Sequence, residues 1–168
     1  MLNNLKTVET VSFVTHSMGG LVVRELLAGD HAWKHRISVS RMVMIAPPNQ
    51  GAALAKTMRN AGPYRVLFGP AGQNLTPAHV ARIPVIKNVP VGVIAGGRGD
   101  NAGFNPLLPG DDDGTVRVVE TPLAGAADFA MVDALHGFIS NHPSTINLTI
   151  AFLRNASFSE SILNHEPR

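Results

Sequence analysis

The chain has 168 residues, 45% of them hydrophobic, so it is long enough to form one domain around a sizeable core. Its formal net charge is only +2, its lysines and arginines are scattered, and 5% of its residues are aromatic. This pattern argues against the clustered basic face of a nucleic-acid-binding protein. The absence of cysteine excludes disulfides, thiolate metal sites and cysteine nucleophiles.

The sequence also lacks an apolar run of membrane-spanning length, so we predict no transmembrane segment. The N-terminal stretch MLNNLKTVET has neither the basic region nor the apolar core of a signal peptide. We therefore take a cytoplasmic location as the default and leave the compartment open. Three glycosylation triplets, beginning at Asn74, Asn147 and Asn155, are of the kind that arises by chance.

The first predicted elements are a strand and a helix separated by a short turn. Val11 to Val14 is an apolar run typical of a buried strand. Apolar residues then recur at helical spacing from Leu21 to Leu26, and Gly29 is a plausible helix stop.

The rest of the chain alternates apolar runs with helical or loop-rich segments. Further strands are predicted at Ile37–Ala46, Val89–Ala95, Val116–Glu120 and Phe129–Val132, and helices at Gly51–Asn60 and Ser144–Leu153. This order predicts an α/β fold with a mostly parallel sheet and helices on both faces. We expect a single domain over residues 1–158, a polar tail over residues 159–168, and a lid, if one exists, within residues 61–88.

The turn between the first strand and the first helix contains Ser17. A tight strand-to-helix turn lifts a serine hydroxyl above the sheet edge and leaves the helix N-terminus behind it, where an oxyanion is favoured. The small residue Gly19 relieves crowding on one side, while Thr15 stands where a glycine is usual on the other. The alternative is that Ser17 only caps the helix, which is a common role for serine.

Two residues downstream could activate this serine. A serine hydroxyl needs a histidine to take its proton, and the histidine needs an acid to orient it. Asp113 follows the third predicted strand and His136 follows the last one, in the order Ser, Asp, His. All three lie at the carboxyl ends of strands, where open α/β sheets bind their ligands.

Other polar residues near these positions have different interpretations. Asp111 to Asp113 could form a solvated turn, or could hold Ca²⁺ together with Asn101 or Asn105, although no EF-hand spacing is present. No two histidines have the spacing of a metal-binding helix, so we predict no metal site and no cofactor. His16 is interpreted as a packing or pocket-lining group, and His142 as a helix-entry residue.

With these residues the chain resembles the α/β-hydrolase superfamily, and in particular small bacterial lipase- and esterase-like hydrolases related to the PGAP1-like group. The stretches that carry the resemblance span nearly the whole chain: VSFVTHSMGGLVVREL, VMIAPPNQGAALA, GPAGQNL, VGVIAGG, DDDGTVRVVET, LHGFISNHP and IAFLRNASF. The resemblance implies a partial α/β-hydrolase fold, because such proteins have further strands and an oxyanion loop before the nucleophile strand.

The resemblance also implies roles for individual residues. Ser17 would be the nucleophile, Asp113 the triad acid, His136 the general base, and the N–H of Met18 one oxyanion donor. The stretch APPNQG, which contains Pro48 and Asn49, would help to line the pocket floor.

Two functions are therefore weighed. The leading one is a serine esterase or lipase acting on ester or lipid-like substrates through an acyl-serine, slowed by the lack of a second oxyanion donor. The alternative is a non-catalytic hydrolase-like module used for binding or assembly. In either case the first strand would be left as an exposed edge, so we expect a homo-oligomer joined through it. The alternative is that the chain is a fragment whose N-terminal part is absent.

Overall fold

The computed structural model describes residue 7 and residues 9–52 and 76–159, and within them the fold is built on one parallel sheet. Its strands are β1 (Thr10–His16), β2 (Ser38–Ile45), β3 (Val91–Gly96) and β4 (Asp128–Val132). They lie side by side in chain order, and each neighbouring pair is parallel. The carboxyl ends of all four strands therefore meet at one edge of the sheet.

Three helices accompany the sheet: α1 (Gly19–Ala28), the single-turn α2 (Pro77–Val80) and α3 (Pro143–Asn155). Short 3-10 turns lie at Ala32–His35, Val118–Glu120 and Ile139–Asn141. No helix in the described ranges is long and apolar enough to cross a bilayer.

The two faces of the sheet bury separate apolar clusters, because successive side chains of a strand point to opposite faces. On β2, Met42 and Met44 belong to one cluster, and the α1 side chains Val23 and Leu27 pack against it. Val43 and Ile45 belong to the other, together with Phe152 of α3. The sheet thus lies between helices on both faces, as the sequence predicted.

Most of the predicted elements are confirmed, within a few residues at their ends. The exception is Val116–Glu120, which we expected to be a strand and which is not one. Val118–Glu120 forms a 3-10 turn, in which the Glu120 carboxylate accepts a hydrogen bond from the Arg117 N–H at 3.0 Å. This side-chain cap closes the turn and overrides the strand preference of the three valines.

Some predictions lie outside the described residues. These are most of the helix at Gly51–Asn60, the greater part of the lid candidate over residues 61–88, and nearly all of the polar tail. The single-domain boundary at residue 158 stays a prediction.

Candidate active site

Ser17 lies at the carboxyl end of β1, immediately before α1, with its backbone in the left-handed region at φ +54°. A residue with a side chain rarely adopts this conformation, so the turn is strained. The Ser17 N–H donates to the Ile45 carbonyl at 2.8 Å, which ties the strained residue to the end of β2. Ser17 thus lies in the turn between β1 and α1.

Gly20 leaves room beside Ser17 for the end of the Met44 side chain. A Cβ atom on Gly20 would collide with the Met44 Cε, whereas one on Gly19 would lie 3.8 Å from the Thr15 Cβ, an ordinary contact. The Thr15 hydroxyl donates to the Val43 carbonyl at 3.3 Å. Thr15 is therefore accommodated where a glycine is usual.

His136 connects the other two predicted residues. Its Nε2 lies 2.9 Å from the Ser17 Oγ, and its Nδ1 lies 2.6 Å from the Asp113 Oδ2, although Ser17 and His136 are 119 residues apart in sequence. The His136 side chain is 12% exposed and that of Asp113 only 1%. The three side chains form one continuous hydrogen-bonded chain with a half-buried end at the serine and a buried end at the aspartate.

The Asp113 carboxylate is held by its own loop. Its Oδ1 accepts the N–H groups of Thr115 and Val116 at 3.0 and 2.7 Å, which leaves Oδ2 for His136. The Asp113 carbonyl in turn accepts the His136 main-chain N–H at 2.8 Å. Asp113 therefore orients both the ring and the main chain of His136.

Gly96 and Gly97 let this loop lie against the end of β3, and sequence reasoning did not single them out. A Cβ on Gly96 would lie 2.8 Å from the Asp113 Cβ and 3.0 Å from the Ala134 carbonyl oxygen. One on Gly97 would lie 2.8 Å from an Asp111 carboxylate oxygen. The sequence signal that could have indicated this close approach was the pair of adjacent glycines at the end of a buried strand.

His16 precedes Ser17, and its ring lies beside that of His136, with centroids 4.7 Å apart. Its Nε2–H donates to the His136 carbonyl at 3.0 Å. Burial lowers the pKa of His16 below its usual value, and the positive charge that His136 can carry lowers it further. We expected a packing or pocket-lining group, and the contact made is with the main chain of the proposed base.

The N–H of Met18 is available for an oxyanion. In the described part of the chain it donates to no acceptor, and it lies where α1 begins, one residue after Ser17. The positive end of the helix dipole adds to its attraction for an anion. A second donor is not identified among residues 9–52 and 76–159.

Pro48 and Asn49, expected at the pocket floor, are both buried. The Asn49 amide is used inside the protein: its Oδ1 accepts from Arg24 Nη1 at 3.2 Å, and its Nδ2 donates to the Thr121 carbonyl at 2.8 Å. Asn49 therefore bridges α1 to the loop before β4.

The carboxylates considered for calcium mostly bind main-chain N–H groups. Asp111 accepts those of Arg98 and Gly99 at 2.8 and 2.9 Å, and Asp112 Oδ1 accepts those of Asn105 and Gly114 at 3.0 and 2.6 Å. The described residues contain no group of three or more histidine or acidic side chains placed to hold a metal ion. These aspartates brace the loop that carries Asp113.

Comparisons with known proteins identify the fold. No protein-family model and no curated protein matches the sequence. The chain is similar to the lipase BlEst2 of Bacillus licheniformis in its mature form, with a TM-score of 0.58 and 18% identity over 88% of this chain and 66% of that one. It is also similar to the metagenomic carboxyl esterase MGS0156, with a TM-score of 0.61 and 20% identity over 96% of this chain and 57% of that one.

The propeptide form of BlEst2 matches with a TM-score of 0.54 and 18% identity, over 76% of this chain and 32% of that one. The chain thus spans two thirds or less of the length of these structures. The four parallel strands, the flanking helices and these similarities make the fold a partial α/β-hydrolase fold. The closer relation to the PGAP1-like group stays a prediction.

Proposed function

We propose that the protein is a serine carboxylic ester hydrolase that works through an acyl-Ser17 intermediate. The observation that carries the proposal is the His136 imidazole, which lies 2.9 Å from the Ser17 Oγ on one side and 2.6 Å from an Asp113 oxygen on the other. A base so placed can take the serine proton while the acid stabilises the resulting charge. The similarity to a lipase and a carboxyl esterase supports the same class of reaction.

The reaction follows from this geometry. The Ser17 Oγ attacks the ester carbonyl carbon as its proton passes to His136 Nε2, and the Met18 N–H donates to the developing oxyanion. His136 then gives the proton to the leaving alcohol, and the acyl group remains on Ser17. In the second half of the cycle, water attacks the acyl-enzyme by the same proton transfers, releasing the carboxylic acid and restoring Ser17.

The surroundings of His136 favour an apolar substrate. Leu135 and Phe138 lie on either side of it in the chain and are 42% and 70% exposed. Exposed apolar side chains at the edge of a site offer contact area to an acyl chain. We therefore propose esters with an apolar acyl group as the substrate class.

The test is hydrolysis of p-nitrophenyl acetate and butyrate, together with labelling by a fluorophosphonate probe. We expect Ser17→Ala to reduce hydrolysis to background and to abolish labelling, while Ser12→Ala, an exposed serine on the same strand, leaves both unchanged. Unchanged turnover in Ser17→Ala would exclude this mechanism, and a folded but unlabelled wild type would favour the non-catalytic module.

A further inference from the structure

We propose that His16 is a positioning residue that holds the main chain of His136, and with it the general base, against Ser17. This inference rests on the proposed function, because it assigns His136 the role of base. It adds a fourth side chain to the site, one that takes no part in the proton transfer itself.

The link is a single hydrogen bond across the site. His16 ends β1, next to Ser17, and its Nε2 lies 3.0 Å from the carbonyl oxygen of His136, 120 residues away in sequence. A carbonyl oxygen only accepts, so Nε2 of His16 must carry the hydrogen. The bond joins the strand that carries the nucleophile to the turn that carries the base.

The turn that carries His136 depends on such bonds. Leu135 is 42% exposed, and a side chain on Gly137 would meet no atom within 4 Å. Packing therefore holds the turn chiefly at its two ends, through the buried Ala134 and Ile139. The His136 N–H is held by the Asp113 carbonyl, and its own carbonyl is held by His16. Without His16, the His136 carbonyl would accept no hydrogen bond from the described residues. The His136 ring could then move relative to Ser17.

The charge state of His16 matters as well. The groups that act on it electrostatically are His136 and Asp113, and its pKa is lowered chiefly by burial and then by His136. His16 is thus neutral at pH 7. As the pH falls, a proton on His16 places a positive charge beside His136, which opposes the imidazolium that forms during catalysis. On the acid side of the pH–rate profile, kcat should then fall more steeply with decreasing pH than a single ionisation produces.

Two substitutions separate these effects. His16→Phe keeps a ring but removes the donor, so we expect kcat for p-nitrophenyl butyrate to fall about tenfold, with KM unchanged within about twofold. His16→Gln keeps an N–H donor without a titratable charge. His16→Gln should therefore retain most of the wild-type kcat. On the acid side of its pH–rate profile, kcat should fall as a single ionisation predicts. His35→Phe and His35→Gln, at an exposed histidine just before the amino end of β2, opposite the carboxyl ends where the site lies, are the matched controls.

An NMR measurement tests the same link without substrate. The proton signals of the His136 ring carbons Cδ2 and Cε1 can be identified by their loss in His136→Gln. These signals should shift in His16→Phe and stay near their wild-type positions in His16→Gln. Equal kcat in the wild type and both His16 variants, or an equal loss of kcat in both variants, would overturn the inference. His136 ring signals that do not shift in His16→Phe would also overturn it. If the wild type hydrolyses no ester, the proposed function fails, and the NMR result alone decides whether His16 positions His136.

Discussion

Strands β1 and β3 both end at the candidate site, but they are supported in different ways. Every residue of β3 is buried, between β2 on one side and β4 on the other. On β1 exposed and half-buried residues alternate, Val14 is 50% exposed, and within the described residues the strand pairs with β2 alone. The loop with the proposed triad acid therefore follows the best-packed strand, and the proposed nucleophile follows the least-packed one.

This difference indicates how each part of the site is positioned. Around Asp113, atoms are so close that even a methyl group on Gly96 would collide with them, so packing sets the geometry. Around Ser17, individual hydrogen bonds hold the strand end: its N–H to Ile45, and the His16 side chain to His136. Substitutions on β3 should therefore disturb the site by changing side-chain volume. Substitutions near Ser17 should disturb it by removing hydrogen bonds.

The largest expected effect comes from the acid on the packed side. In Asp113→Asn, the amide oxygen can still accept the N–H groups of Thr115 and Val116, which leaves the amide nitrogen facing His136 Nδ1. His136 would then carry its hydrogen on Nε2, facing Ser17, and could not take the serine proton. We expect kcat for p-nitrophenyl butyrate to fall by about 10³ to 10⁴. A folded variant that retains a tenth of wild-type activity would contradict the assignment of Asp113.

The next effect separates packing from catalysis on one strand. Gly96→Ala and Gly92→Ala both add a methyl group to β3, the first against Asp113 and Ala134, the second 2.7 Å from the rings of Phe152 and Phe158. Each should lower the free energy of unfolding by about 1–3 kcal/mol, measured by urea denaturation. Only Gly96→Ala should also lower kcat, by about tenfold, because it displaces the acid. Equal kcat in the two variants would show that the acid loop absorbs the displacement.

The smallest effect concerns the edge of β1 that faces away from β2, which no strand covers among the described residues. An apolar edge of this kind favours pairing with another chain, so we predict a homodimer or higher oligomer at micromolar concentration, measured by size-exclusion chromatography with light scattering. Val14→Lys should raise the dissociation constant by about tenfold, while Val22→Lys, on the exposed face of α1, should not. A wild-type protein that is monomeric at these concentrations would contradict the prediction.

Much of the fold was predictable because its signals are local. The apolar runs that became β1 to β4 and the helical spacing of α3 depend only on neighbouring residues, as does the strand–serine–helix turn at Ser17. Val116–Glu120 was predicted wrongly because its valines favour a strand locally. The competing bonds, which the Arg117 N–H donates to the Glu120 carboxylate and the Val116 N–H donates to the Asp113 carboxylate, involve specific atoms that no periodicity reveals.

By itself the sequence determined the fold class, the order Ser17, Asp113, His136, and the location of each of these residues after a strand. Only the tertiary structure decided that these three side chains meet within hydrogen-bonding distance, and that His16 and Gly96 belong to the same site. The physical reason is the separation along the sequence of the residues that interact. Strand and helix preferences arise within a few residues, whereas the distance between Ser17 and His136, which are 119 positions apart in the sequence, depends on how the chain between them packs.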